Sequence, residues 1–400
     1  MSDPFTRFGL SRALNGAGTL TRLGGANVHP DVAAAMSAAA QRSVDIVALQ
    51  AAASRRIAEA TGAEAGMVTT GASAALTLAA AAAMAGLDPV RMEQLPQAGD
   101  LPNEIVMART HRNGYDRALR TAGAVIRDVG VNDRGTGAGI RGLEAWELDA
   151  AIGPKTVAIA FSANRATLDE LPMVVEVAAR HKLPVIVDAA AQLPPKANLQ
   201  RFIADGASLV AYSGGKAIGG PQASGILAGR RDLVASALLQ QVDMDVDPGA
   251  FTAPAEFFGN STPPALPRHG IGRGFKASKE AIVGFLTALD LFLAQDDAAK
   301  AEAMQVRLDR IAQRLSGIAS VTTALVPAGM PRAYPRLALT FEAASGVDAR
   351  DMARRLRLGR LPLYLAEERI AERVLIVDLI SVAEADDETL VDLIREALAK

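Results

Sequence analysis

The chain has 400 residues, half of them apolar, and a formal charge of −2, so it can bury a large core but offers no broad basic footprint for nucleic acid. It contains no cysteine, which excludes disulfides, thiolate metal sites and thiol nucleophiles, a cysteine-dependent desulfurase included, and fits a reducing cytoplasm. The start, Met1-Ser2-Asp3-Pro4-Phe5-Thr6-Arg7, has no charged-then-apolar export pattern.

In chain order, residues 1 to about 28 are glycine-rich and aperiodic and read as an arm that cannot fold alone and packs on another subunit. This predicts a homodimer or higher homo-oligomer. Residues 31–60 have helical spacing. From 65 onward strands and helices alternate: strands at 67–70, 105–108, 124–129, 157–161, 185–188 and 209–212, with helices at 73–85, 115–121, 143–152 and 169–181. The Ala-dominated run from Ala72 to Leu87 is too weakly hydrophobic to span a bilayer and reads as a buried helix, so no membrane partner is expected. Alternation of this kind predicts an α/β domain with a mostly parallel central sheet and helices on both faces. A proline-rich loop at 243–269 is long enough to imply an active-site or subunit role. Helices at 276–294 and 298–315 then lead to short strands at 336–341 and 374–377 and helices at 348–358 and 387–398, a small α+β C-terminal domain. The expected divisions are an arm and helix over 1–60, a large domain over 61–275, and linking helices with the small domain over 276–400.

Two segments carry the chemistry. Leu183-Pro184-Val185-Ile186-Val187-Asp188 is a buried strand closed by a carboxylate, and Tyr212-Ser213-Gly214-Gly215-Lys216 leads from a strand into a loop nearly stripped of side chains other than one amine. An amine suits an aldehyde cofactor and a carboxylate suits its pyridine nitrogen, so Asp188 and Lys216 together form the skeleton of a pyridoxal phosphate site. Gly71, His111, Asp188 and Lys216 all fall just past a predicted strand, where open α/β sheets bind ligands. Gly71-Ala72-Ser73 opens the Ala-rich helix, whose free N–H groups favour a phosphate, although Ser73 reads equally well as an ordinary N-cap. Arg22, Arg112, Arg273 and Lys276 are candidates to clamp an anionic substrate. No metal site is expected.

Three patterns are decoys. The string Gly137-Ala138-Gly139-Ile140-Arg141-Gly142 satisfies a dinucleotide spacing but follows too long a turn, with no suitable acidic residue after it. Asp243-Met244-Asp245-Val246-Asp247 imitates a calcium loop but has Pro248 at the required glycine. Ser213-Gly214-Gly215-Lys216 lacks the earlier glycine and following hydroxyl of a nucleotide P-loop.

The stretches Val187-Asp188-Ala189-Ala190-Ala191-Gln192-Leu193-Pro194-Pro195 and Ser213-Gly214-Gly215-Lys216 through Gly220-Pro221-Gln222 resemble the selenocysteine synthase-like family of pyridoxal phosphate enzymes, closest in type to D-glucosaminate-6-phosphate ammonia-lyase-like proteins. Asn15-Gly16-Ala17-Gly18, Val68-Thr69-Thr70-Gly71-Ala72-Ser73, His111-Arg112-Asn113-Gly114-Tyr115-Asp116 and Gly270-Ile271-Gly272-Arg273 follow that family's order, and the resemblance weakens beyond residue 300 or so. It implies the fold-type-I architecture of pyridoxal phosphate-dependent transferases, an imine between the cofactor and Lys216, and phosphate contacts from Gly71, Ala72, Ser73 and Ser213. It also implies stacking of His111 on the cofactor ring, with an acid–base role as the other reading. The implied reaction passes through a carbanion at Cα of an amino-acid substrate and ends in β-elimination from a hydroxyamino acid; racemisation and aldol cleavage share the first step, and a noncatalytic scaffold is the competing class. Three departures bear on the substrate. The chain begins almost at the family's arm and has no basic patch, which argues against a tRNA; Gln192 stands where the ammonia-lyase branch carries an acidic residue, and the terminal domain matches poorly, which together argue against a sugar-phosphate substrate.

Overall fold

The computed structural model describes residues 3–132, 142–243, 245, 247–328, 334–342 and 346–399. In chain order the strands are β1 (Leu14–Gly16), β2 (Ala65–Thr69), β3 (Glu104–Ala108), β4 (Val125–Val129), β5 (Thr156–Ser162), β6 (Val185–Asp188), β7 (Leu209–Ser213), β8 (Gly225–Gly229), β9 (Val321–Val326), β10 (Arg336–Phe341), β11 (Leu363–Leu365) and β12 (Val374–Val377). The expected boundaries near 60 and 275 follow changes in segment type, whereas the compact units are Val28–Leu293 and Met1–Asn27 with Ala294–Lys400. Residues 137–141 of the dinucleotide-like string, and Met244 and Val246 of the calcium-like string, lie outside the described residues.

The larger unit is built on a seven-stranded sheet in the order β2-β8-β7-β6-β5-β3-β4. Strands β4, β3, β5, β6 and β7 pair in parallel. Successive side chains of a strand point to opposite faces, and the sequence exploits this by filling both. Ile105 and Met107 of β3 and Leu209 and Ala211 of β7 face one core, while Val106, Ala108, Val210 and Tyr212 face the other. Because helices cover both faces, the strands read as continuous apolar runs rather than alternating ones. The helix Ala72–Ala85 is buried nearly all round, with Ala75 and Ala79 to Ala82 fully covered; small side chains let it lie close against the sheet.

Three local features differ from the sequence reading. The helical stretch expected over 31–60 is two helices, Pro30–Ala40 and Ile46–Thr61, because the Asp45 carboxylate accepts from the N–H of Ala48 at 2.9 Å and starts a new helix there. Strand β8 was not expected; it is antiparallel to both neighbours, and the glycines at its two ends weaken its strand signature. The helices Asn198–Ala204 and Arg231–Leu239 were likewise not expected.

The smaller unit carries the antiparallel sheet β12-β10-β9 with the helices Asp297–Leu315, Ala349–Arg357 and Asp387–Leu398. Leu308, Leu339, Phe341, Met352, Leu375 and Ile394 fill its core. The arm, expected to pack on another subunit, finds a partner in its own chain at residues 14–17: β1 pairs in parallel with β11, and Ala17 bridges to Asp378. Asn15 fixes this turn, donating from Nδ2 to the Gly18 carbonyl at 2.8 Å and accepting from the Ala17 N–H at 3.1 Å. Among the described residues no helix is long and apolar enough to cross a membrane.

Candidate active site

The carboxyl ends of β3, β5, β6 and β7 lie on one edge of the large sheet, and β2 joins them because it is antiparallel to β8, which is antiparallel to β7. That edge gathers Gly71, His111, Asp188, Ser213 and Lys216, each at or just past its strand.

Asp188 closes β6, and Lys216 stands three residues beyond β7, the next strand in the sheet. Burial pushes the Asp188 carboxyl above the ordinary carboxylate range; the Ala190 N–H, donating to Oδ1 at 3.0 Å, and the positive charge of Lys216 pull the other way. A withdrawn carboxylate with a cation in electrostatic reach suits a protonated ring nitrogen. The loop bearing Lys216 is closed by Gly214 N–H to Ser224 carbonyl (2.8 Å) and Gly220 N–H to Gly214 carbonyl (2.9 Å). Two of its glycines are required by packing: a Cβ on Gly214 would strike Ser224 Oγ and lie 2.7 Å from the Phe285 ring, and one on Gly215 would lie 2.7 Å from the Gln222 backbone.

Gly71 is the N-cap of the helix Ala72–Ala85, with φ 112° and ψ 167° and no side-chain cap. Ser73 is therefore not the cap; its side chain is exposed at the second helical position. The first N–H groups of this helix remain open to an anion. Gly225, which sequence reasoning did not single out, is what lets the turn settle on the sheet: a Cβ there would lie 2.7 Å from the carbonyl carbon of Gly71 and 2.9 Å from the nitrogen of Ala72. Gly225 pairs with Ser213, so the turn at Gly71 and Ala72 and the predicted contact at Ser213 both adjoin it. Thr70 Oγ1 donates to the Phe275 carbonyl at 2.9 Å, which brings Lys276, exposed, into the neighbourhood of the same turn.

His111 ends a single 3₁₀ turn after β3, with its side chain buried against Phe161 edge to face at 4.6 Å. Its Nε2 lies 2.7 Å from Glu170 Oε2. Asn113 donates from Nδ2 to Ser162 Oγ at 3.1 Å, and Ser162 sits in register with Asp188. Asn113, Tyr115, Phe161, Ile186 and Asp188 help line a small concavity on this edge. Glu170 and Ser162 were not legible as site residues, since nothing in the sequence ties Glu170 to a histidine 59 positions earlier.

The four basic candidates part company. Arg112 donates to Asp116 and to Asp128, each at 2.5 Å, and these bonds raise its pKa. Arg273 pairs with Asp243. Arg22 belongs to the smaller unit, where it pairs with Glu367 at 3.2 Å and lies over the Tyr364 ring. Lys276 alone has no ion-pair partner among the described residues.

Buried polar atoms test whether these residues fit pyridoxal phosphate. Among the described residues, Thr110 Oγ1, His111 Nδ1 and Gln192 Oε1 are buried without a hydrogen-bond partner. All three lie past the ends of β3 and β6, and Gln192 is anchored there by Nε2 donating to the Ala163 carbonyl at 2.7 Å. Unsatisfied buried groups are rare in folded chains; the other one among the described residues is Gln240 Nε2, and the three past β3 and β6 share the sheet edge that carries Asp188, which fits a polar ligand there.

The model of the L-seryl-tRNA selenium transferase family matches residues 167–244. A 5'-C-glycyluridine monooxygenase-decarboxylase from Streptomyces is 30% identical, over 98% of this chain and 92% of the relative. D-glucosaminate-6-phosphate ammonia lyase of Salmonella typhimurium is 29% identical over 98% of this chain and 97% of its own. A solved structure of D-glucosaminate-6-phosphate ammonia-lyase superposes with a TM-score of 0.81 at 28% identity, covering 100% of this chain and 99% of that one. Fold and relatives together make the protein a fold-type-I enzyme dependent on pyridoxal phosphate. It belongs to the selenocysteine synthase-like family.

Proposed function

We propose that the chain is a lyase that eliminates a β-substituent from a hydroxyamino acid, working in the cytoplasm as a homodimer or larger assembly. Pyridoxal phosphate supplies an electron sink for the substrate's Cα. Lys216 would hold the cofactor covalently, and its ε-amine, once free, would move the substrate's Cα proton. Asp188 would keep a proton on the ring nitrogen, because a carboxylate already withdrawn from water gains most by pairing with a cation. The open N–H groups after Gly71, with Ser73 and Ser213, would bind the phosphate. Of the basic candidates, Lys276 is the one suited to an anionic substrate group, since Arg112 and Arg273 are engaged by carboxylates.

The observation that carries this reading is the placement of Asp188 and Lys216 at the ends of the adjacent strands β6 and β7, with the Asp188 carboxyl buried. The choice of elimination is supported by the ammonia-lyase relative matched along nearly the whole chain. Exposed Phe5, Phe8 and Leu10 in the arm support self-association. Incubating the holoenzyme with D- and L-hydroxyamino acids tests the reaction: keto acid with equimolar ammonia supports elimination, whereas inverted amino acid without keto acid makes the enzyme a racemase, and glycine with an aldehyde makes it an aldolase.

A further inference from the structure

We infer that Glu170 is a positioning residue that holds His111 in the Nε2–H tautomer and so leaves Nδ1 as an unprotonated acceptor for a hydroxyl or amine donor of the bound ligand. The His111 side chain is 1% exposed and that of Glu170 17%, with 2.7 Å between Nε2 and Oε2. A carboxylate can only accept, so the hydrogen of this bond resides on Nε2. Glu170 stands at the N-cap position of the ten-residue helix Leu171–Arg180 without its side chain capping that helix, and the N-terminal dipole favours a negative group there. The other ring nitrogen, buried with the side chain, has no hydrogen-bond partner among the described residues. A hydrogen on Nδ1 would need an acceptor that none of the described residues supplies, whereas a bare Nδ1 is an acceptor that a donor of the ligand can fill. Phe161, set 86° to the imidazole, blocks the ring from swinging away.

A stacking role needs only a flat ring; this arrangement adds a nitrogen whose protonation state is set by a second side chain. It is the logic by which a carboxylate orients a histidine base, with the two ring nitrogens exchanged. The identity of the donor rests on the reading that Asp188 and Lys216 hold the cofactor, while the tautomer does not depend on it.

Protein labelled with ¹⁵N-histidine separates the two. The chain has four histidines, and His29→Gln, His181→Gln and His269→Gln variants assign their signals by elimination. At neutral pH His111 should show a protonated Nε2 and a bare Nδ1, and the Nδ1 signal should move to a hydrogen-bonded position when pyridoxal phosphate and an unreactive amino-acid analogue are added. Glu170→Ala should lose the single tautomer without unfolding and lower kcat roughly ten- to hundredfold with little change in KM, whereas Glu170→Gln, which keeps an acceptor oxygen, should retain the tautomer. A doubly protonated ring, an Nδ1–H ring, or an unchanged tautomer in Glu170→Ala would overturn the inference. If the tautomer is found but borohydride fails to trap cofactor on Lys216, the site reading falls, and with it the donor assigned to Nδ1.

Discussion

Asp188 and Lys216 act on each other from the ends of neighbouring parallel strands, the ammonium opposing the rise in pKa that burial imposes on the carboxyl. If Asp188 partners the ring nitrogen as proposed, stability and cofactor affinity should pull in opposite directions at this position.

The sign follows from the direction of the shift. A carboxyl whose folded pKa is raised contributes stability that is fully present below its unfolded value and lost as pH rises through the folded one. Cofactor-free Asp188→Asn should therefore be more stable than the parent at neutral pH, by about 1 kcal/mol, with the difference closing in acid. The same variant should lose most of its activity. Thermal melts of the two cofactor-free proteins against pH check this; a less stable Asp188→Asn at neutral pH contradicts it.

Gly71→Ala should weaken phosphate binding by straining the backbone, since at φ 112° an added Cβ has open space but an unfavourable conformation. The cost is about 1–3 kcal/mol. Gly225→Ala should act on the same turn by contact instead, through the carbonyl carbon of Gly71 and the nitrogen of Ala72. Titrating each variant with pyridoxal phosphate and with pyridoxal distinguishes a phosphate defect, in which only the former loses affinity, from general unfolding.

Arg112→Ala should cost stability, with KM nearly unchanged. Although burial opposes it, hydrogen bonds from Arg112 and Arg120 hold Asp116 below its ordinary pKa. A lowered carboxyl contributes stability present above its unfolded value and lost as pH falls through the folded one. The variant should be destabilised by about 1 kcal/mol at neutral pH, and by less once acid protonates Asp116. A large rise in KM with unaltered stability would instead make Arg112 a substrate clamp.

Lys276→Ala should do the reverse, raising KM for an anionic substrate while leaving the melting temperature in place, because the side chain is exposed and follows the residue that accepts from Thr70. Steady-state kinetics beside a melt decide between them.

The sheet and most of the site were legible because they rest on local signals. Val185 to Asp188 is apolar and then acidic, and the lysine loop is glycine-rich, so each strand end announces itself. What escaped depends on contacts between distant segments. Strand β8 is five residues bounded by glycines, and only its seat between β2 and β7 makes it a strand. Glycines 214 and 215 read as a loop stripped of side chains, and it is the fold that shows their missing side chains making room for Ser224, Phe285 and Gln222. The carboxylate on His111 comes from the start of a helix that reads as an ordinary acidic first turn. The bond from Arg112 to Asp128, on the neighbouring strand, joins segments that the sequence does not tie together.

The central claim is the covalent attachment of cofactor at Lys216, and borohydride reduction of the holoenzyme followed by peptide mass mapping tests it most directly. The account predicts one pyridoxyl group per chain, on the peptide containing Lys216, and none in Lys216→Ala. A pyridoxyl group on a different lysine, or a Lys216→Ala protein that still reduces to a stable adduct, would contradict it.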